Sequence, residues 1–480
     1  MMRNDNLIAG ESVGETYQEN RNPSDHSDVI GEYASATVAD TEAAINAAVE
    51  NRQSWRRVGV GERMRLLNVI GDTILRRSAE LGETLSREEG KPLRDGIAEA
   101  SRAGNTFTYF AAQLLQPTGT VFNSHRPDTT IHVSHGPVGA VGIITPWNFP
   151  LAVPAWKIAP ALAYGNTVVF KPAELVSASG WALAQIIREA GVPDGVFNLV
   201  MGRGSVVGET IAGSRLLDAV SFTGSTSVGT ALALRSIENG NKRVQVEMGG
   251  KNSIIVLDDA DLDTAVSAII DSAFGSTGQR CTATSRIIAT PGIHDALVDG
   301  IRQRMLGMRV GHALDPETDI GPVASEAQLE IDLDYIRIGA QEGAELVAGG
   351  SLVEARTRGN FLQPALFTGG TSGMRINQEE IFGPVACVIR AADLDEAISV
   401  ANDSRYGLSS GIITGSQSAI SRFTEEIEAG LISVNASPAI SELHVPFGGV
   451  KESGYGPREQ GGYAREFFTS VSTRYLTSID

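Results

Sequence analysis

From Gly139 onward the chain repeats one texture: a short continuous apolar run, a stop of glycine, proline or small polar residues, then a helical stretch. Val141-Gly142-Ile143-Ile144 runs into Thr145-Pro146, and Thr167-Val168-Val169-Phe170 into Lys171-Pro172. Val196-Phe197-Asn198-Leu199-Val200 and Ala219-Val220-Ser221-Phe222 both run into glycine-rich segments. Runs that stay apolar rather than alternate are strands buried on both faces, so the pattern predicts a parallel sheet covered by helices. A second strand–helix series begins at 253–257 and recurs at Ile287-Ile288 and 385–389. The first hundred residues read as helical and charged, with one amphipathic helix starting at 41–49 and a second over 62–83. The stretch 151–170, which contains Pro154, Lys157 and Pro160, reads as a buried helix followed by a strand, not a membrane span. Segment 117–135 differs: Thr129-Thr130-Ile131-His132-Val133-Ser134 reads as an extended ribbon without a core of its own, an edge suited to a partner subunit.

Composition narrows the possibilities. A chain of 480 residues is long enough for about three compact units. A net charge of −18 leaves no basic surplus to displace counterions, which argues against nucleic acid and anionic membranes as partners. Glycine, at 53 residues, exceeds its usual share of about 7% and demands many tight turns. Two cysteines, Cys281 and Cys387, are too few for a disulfide framework and suit a reducing cytoplasm. The N-terminal residues 1–6 show no apolar region, so no secretory signal is expected.

Local chemistry singles out several positions. Cys281 lies among Gly, Ser, Thr and Gln, with Arg280 beside it, a setting in which an adjacent cation favours the thiolate. Cys387, inside Val385-Ala386-Cys387-Val388-Ile389, reads as a core residue. Glu247 closes an apolar run before Met248-Gly249-Gly250-Lys251 and reads either as a solvated turn residue or as a general base. Asn148, framed by Pro146 and Pro150, reads either as a turn or as an oxyanion donor stiffened by its neighbours. Gly224 to Gly229 follows a strand and opens a helix, a setting for phosphate, though the G-x-G-x-x-G pattern is missing. Gly202 to Gly208 misses that pattern by one residue. Lys171 and Glu174 follow a strand end and could bracket ribose hydroxyls or sit in an exposed turn. His132 and His135 would face opposite ways on a strand, and no metal site is predicted.

Taken in order, Thr145-Pro146-Trp147-Asn148-Phe149-Pro150, Lys171-Pro172-Ala173-Glu174, Phe222-Thr223-Gly224-Ser225 and Glu247-Met248-Gly249-Gly250-Lys251 resemble the NAD(P)-dependent aldehyde dehydrogenase superfamily. Gly278-Gln279-Arg280-Cys281, Glu379-Glu380-Ile381-Phe382-Gly383-Pro384 and Pro446-Phe447-Gly448-Gly449-Val450-Lys451 continue the resemblance almost to the end. It implies two parallel-sheet α/β domains and a small β oligomerisation ribbon. A Rossmann-like dinucleotide-binding domain would span 1–117 and 138–248, a catalytic domain 249–448, and the ribbon 118–137 with 463–480.

The resemblance also implies roles. Cys281 would be the nucleophile, Glu247 the general base, and Asn148 with the Cys281 backbone N–H the oxyanion donors. Lys171 and Glu174 would meet the adenosine ribose, Ser225 the pyrophosphate, and Glu380 and Phe382 the nicotinamide ribose. Ile144, Thr145, Pro146, Trp147, Gly204, Gly224 and Val228 would complete the cofactor site, with Trp156, Arg280 and Phe447 at the substrate. Glu174 would repel a 2′-phosphate, favouring NAD over NADP, while Lys171 leaves both open. The segments 276–286, 247–252 and 458–461 look most like the 2-oxoglutarate semialdehyde (2,5-dioxopentanoate) branch. Succinate semialdehyde enzymes commonly carry arginine where Trp156 stands, and an aromatic aldehyde is a further alternative. A coenzyme A-acylating relative and a non-catalytic crystallin-like protein are the remaining readings; the implied assembly is a homodimer or homotetramer.

Overall fold

The structure, a computed structural model, describes residues 3–478; Met1, Met2, Ile479 and Asp480, which the expected domain ranges and N-terminal reading include, lie outside the described residues. The N-terminal expectation is corrected at once, because residues 3–34 form strands, not helix. Arg3–Asn4, Asp25–Ala34 and Tyr17–Asn22 make one three-stranded sheet, and Asn6–Ile8 with Glu11–Val13 extends a larger one. These strands carry no apolar periodicity because polar side chains hold them. Asn20 is buried and donates to Glu88 and to the Leu175 carbonyl, and Asn22 donates to Asp28 at 3.0 Å.

The first helix, Val38–Arg57, starts where a capping box forms: Asp40 N donates to Thr37 Oγ1 at 3.2 Å, and Thr37 N to Asp40 Oδ2 at 2.8 Å. The single helix expected over 62–83 is two, Val60–Arg76 and Ser78–Glu89, broken at Arg77. There the backbone leaves helical angles (φ −100°, ψ 15°) while the Arg77 side chain pairs with Glu80 at 2.7 Å.

The expected apolar runs become the sheets. In the eight-stranded sheet, Arg243–Glu247, Ala219–Thr223, Ala140–Ile144, Thr167–Lys171 and Phe197–Leu199 lie side by side and parallel. Chain order reverses between Ala140–Ile144 and Ala219–Thr223, the crevice at which doubly wound sheets bind ligands. A seven-stranded sheet follows, with Asn252–Val256 between Thr284–Ala289 and Ser409–Ile413, all parallel. The third unit is a ribbon in which Thr129–Pro137 pairs antiparallel with Gly119–Asn123 and with Thr469–Thr477. Cys387 is 1% exposed and packs with Val385 and Ile389 in the core of the second sheet. Among the described residues no helix is long and apolar enough to cross a membrane.

Arg286 ties the second sheet to the segment that follows Glu247. It is 2% exposed and donates to the Lys251 carbonyl at 2.9 Å, Val400 at 3.0 Å and Ala401 at 2.9 Å. Burial draws its pKa down to about 10, so the charge is kept at neutral pH. Arg286→Met leaves those carbonyls unpaired, and a loss of about 3–5 kcal/mol in urea unfolding is expected. A change below about 1 kcal/mol would show that these bonds carry no net stability.

Candidate active site

The crevice of the first sheet opens into a cavity of ≈ 1010 Å³ whose far wall comes from the second sheet. Ile144, Thr145, Pro146, Trp147, Asn148, Lys171, Glu174, Gly204, Gly224, Ser225, Val228 and Glu247 line it from the first unit. Arg280, Cys281, Glu380, Phe382 and Phe447 line it from the second, with Trp156 from the helix Ala152–Ala163. Residues as far apart in sequence as Ile144 and Phe447 thus face one space.

Cys281 is delivered by a tight loop. Ser276, Thr277 and Gly278 all adopt positive φ (51°, 59° and 66°), an uncommon conformation for a β-branched residue such as Thr277. Tertiary bonds hold it there. Thr277 Oγ1 donates to the Gly321 carbonyl at 3.2 Å, Ala324 N donates to Gln279 Oε1 at 2.9 Å, and Asn252 Nδ2 donates to the Cys281 carbonyl at 2.8 Å. Any Cβ at position 278 would overlap the Gly383 carbonyl.

The expected cationic activation by Arg280 is not what surrounds the thiol. Burial, then Glu380 and Glu247, push the Cys281 pKa up to about 12, and only backbone N–H groups of Thr282 and Cys281 pull it down. Arg280 instead turns toward Asp271, 3.8 Å away, and its Nε is buried without a partner. Adjacency in sequence did not become adjacency in space.

Glu247 is not a solvated turn residue: it is 4% exposed, and its Oε2 has no hydrogen-bond partner. Burial and Glu459 hold its carboxyl well above the usual range, opposed by Lys157 and Arg458. Lys157 is itself buried, paired with Glu459 and donating to Ser221 Oγ at 2.8 Å. Glu380 accepts from Gly250 N at 3.0 Å and is raised to about 7 by burial. Its carboxylate lies in the space that a Cβ on Gly249 would occupy, so a side chain at 249 would displace Glu380.

Asn148 is held from both sides. Its Nδ2 donates to the Gln279 carbonyl at 2.9 Å, which leaves the second N–H of the amide for another acceptor. Its carbonyl accepts from Lys91 Nζ at 2.8 Å, and that ammonium pairs with Glu99 at 2.6 Å. Glu99 also accepts from Leu151 N and Ala152 N at 2.9 and 3.1 Å, capping the start of the next helix. Lys91, Glu99, Lys157 and Glu459 escaped the sequence reading. One available signal was the scarcity of lysine, which occurs only at 91, 157, 171, 242, 251 and 451.

The far end fits a dinucleotide. The helix Thr226–Glu238 begins without a side-chain cap, so its free N–H groups and dipole face the cavity beside Ser225. Thr145 Oγ1 and Thr223 Oγ1 are buried there without partners, orphaned groups that a polar ligand can satisfy. Glu174 accepts from Gly204 N at 3.0 Å, while Lys171 donates to the Pro172 carbonyl at 2.9 Å and is drawn down to about 8 by burial. Trp147 packs edge-on against Phe382 (5.3 Å between centroids), and Trp156 lies tilted against Phe447 at 5.5 Å.

Comparison with known proteins identifies the family. The α-ketoglutaric semialdehyde dehydrogenase of Bacillus subtilis is 43% identical over 457 residues, covering 95% of this chain and 93% of that one. The α-ketoglutarate semialdehyde dehydrogenase of Haloferax volcanii is 43% identical, covering 98% of each. The crystal structure of an NAD-dependent aldehyde dehydrogenase from Sinorhizobium meliloti superposes with a TM-score of 0.96 at 35% identity, covering 99% of this chain and 95% of that one. With residues 8–474 matching the family's sequence pattern, the chain belongs to the Aldehyde dehydrogenase family.

Proposed function

We propose that this enzyme oxidises 2-oxoglutarate semialdehyde to 2-oxoglutarate, with NAD as oxidant. The observation that carries the chemistry is the convergence of Cys281, Asn148 and Glu247 on one buried cavity that also holds a dinucleotide-sized polar end. The substrate rests on the relatives from Bacillus subtilis and Haloferax volcanii, and the cofactor on the Sinorhizobium meliloti enzyme, as their names state.

Cys281 attacks the aldehyde carbon through sulfur after losing its proton, making the carbon tetrahedral. The free N–H of Asn148 and the Cys281 backbone N–H take the resulting oxyanion, preorganised by Lys91 and Gln279. Glu380 and Phe382 would hold the nicotinamide end of NAD, which would supply the acceptor for the hydride of this carbon and so leave a Cys281 thioester. Glu247 then removes a proton from water as its oxygen attacks the Cys281 thioester, and the acid departs as the thiol is restored. Lys171 and Glu174 are placed for ribose hydroxyls, Ser225 for phosphate, and Glu380 and Phe382 for the nicotinamide end.

The ribbon supports a homodimer or homotetramer, because Val121, Phe122, Val471, Tyr475 and Leu476 leave apolar surface exposed on it. Two free thiols fit the cytoplasm.

Glu247→Gln should give a burst of about one NADH per active site followed by slow turnover, since only deacylation needs the base. An unchanged steady state in stopped-flow absorbance would remove Glu247 from the reaction, and acyl-coenzyme A formation would point to the acylating alternative. Cys281→Ala should abolish the burst itself.

The pH dependence has a definite sign. A carboxyl whose pKa is raised is protonated over a wider range, and a base works only when ionised. Deacylation-limited kcat should therefore go on climbing with pH above the ordinary glutamate range. A kcat already flat by about pH 5, near an ordinary glutamate pKa, would contradict this role.

A further inference from the structure

The aldehyde end of the cavity holds a second guanidinium that the reaction does not use. Arg102, on the helix Leu93–Gln113, lines the cavity with Ser441, Trp156 and Phe447. It donates to the Ser441 carbonyl at 3.1 Å, to Ser441 Oγ at 2.7 Å and to Gln460 Oε1 at 3.3 Å. A guanidinium has five N–H groups, so Nε–H and one Nη1–H remain. Among the described residues no carboxylate lies within ion-pair distance of it. Glu99, already paired with Lys91, and Glu442, next to Ser441, act on it only at longer range, and burial outweighs both, drawing the Arg102 pKa down. Arg280, the other guanidinium in this wall, is offset by Asp271 at 3.8 Å.

We propose that Arg102, together with the Ser441 hydroxyl that it orients, binds the remote carboxylate of the aldehyde substrate. This deepens the substrate reading above and rests on it. Ser441 Oγ accepts from Nη2, so its own proton is directed away from the guanidinium and is available to an anion. The guanidinium lies 5.8 Å from the Trp156 ring centre, and Trp156 stacks with Phe447, so an apolar slot lies beside the cation. That combination accepts a short carbon chain ending in a carboxylate. A partly desolvated cation without a counter-ion gains more from such a ligand than a solvated one would. Arg280, beside Cys281 in sequence, contributes positive potential but is not the anchor, because its charge is shared with Asp271.

The test compares wild type with Arg102→Gln, Arg102→Lys and Ser441→Ala. Each is assayed for kcat and KM on 2-oxoglutarate semialdehyde, glutarate semialdehyde and uncharged pentanal, after thermal melting confirms folding. Arg102→Gln should raise KM for both carboxylated aldehydes about 10- to 100-fold, the effect of losing a charge-assisted hydrogen bond, with kcat nearly unchanged. Pentanal kinetics should hardly move, and Arg102→Lys should recover part of the loss. Ser441→Ala, which keeps the cation, should raise the same KM values several-fold and carries the test if Arg102→Gln does not fold. Equal losses for pentanal and the carboxylated aldehydes would make Arg102 a brace for the Ser441 segment and overturn the proposal. Wild type that prefers carboxylated aldehydes, with Arg102→Gln and Ser441→Ala retaining that preference, would overturn this inference alone. Wild type that prefers pentanal would overturn the substrate reading and this inference together.

Discussion

Burial and the charges of Glu380 and Glu247 all act against ionisation of Cys281, so the cavity forms a thiolate only by keeping protons on those carboxyls or by bringing positive charge close. The surroundings do the first. Burial lifts Glu380 to about 7 and raises Glu247 as well, so each holds its proton over a range where an exposed glutamate has lost it. The Cys281 thiol therefore gives up its proton more easily while Glu380 and Glu247 hold theirs. Lys157 and Arg458 limit how far Glu247 can rise, which keeps it within reach of the ionised form that a base requires. A residue more exposed would ionise earlier and bind water protons less effectively; one more isolated would never ionise.

Holding such groups close takes backbone geometry that ordinary residues resist. The turn after Glu247 passes against the Glu380 carboxylate, which a side chain at position 249 would push aside. The loop before Cys281 goes further and keeps Ser276 and Thr277 in the left-handed region, a strained arrangement that persists because Gly321, Ala324 and Asn252 over-determine it. Rigidity here has a chemical consequence. Cys281 and Asn148 on loops and Glu247 at a strand end line one cavity, and a loose loop would spread them apart.

What the sequence made legible is whatever sits at the end of an apolar run. Thr145, Lys171, Gly224 and Glu247 each follow a buried strand, and a parallel sheet necessarily gathers those ends at one edge. The first thirty-odd residues were misread for the opposite reason: their strands are held by buried Asn20 and Asn22, and no hydrophobic period marks them. Pairings across long separations were equally silent. Lys157 meets Glu459, and Arg102 meets Ser441, only because the sheets and helices bring them together. Arg280 shows the limit from the other side, since a residue next to the nucleophile in sequence spends its charge on Asp271.

Lysine usage links the cavity to the net charge. The chain has only six lysines, and Lys91, Lys157, Lys171, Lys242 and Lys251 are all buried, while arginine supplies the exposed ion pairs. A buried ammonium is rare unless paired, so this distribution reflects a division of labour. Apart from buried Arg286 and Arg102, arginine supplies surface ion pairs, where the total of −18 repels anions at a distance. Lysine places positive charge beside the cavity, on the Asn148 carbonyl, on Glu459 and at the Glu174 end. That charge is conditional, because burial draws Lys171 down to about 8 and Lys251 to about 7. An anion seated against Lys171 favours the protonated ammonium and raises its pKa again. An anion there thus strengthens the charge that holds it, as Lys171 takes up a proton, inside a molecule whose surface would turn the same anion away.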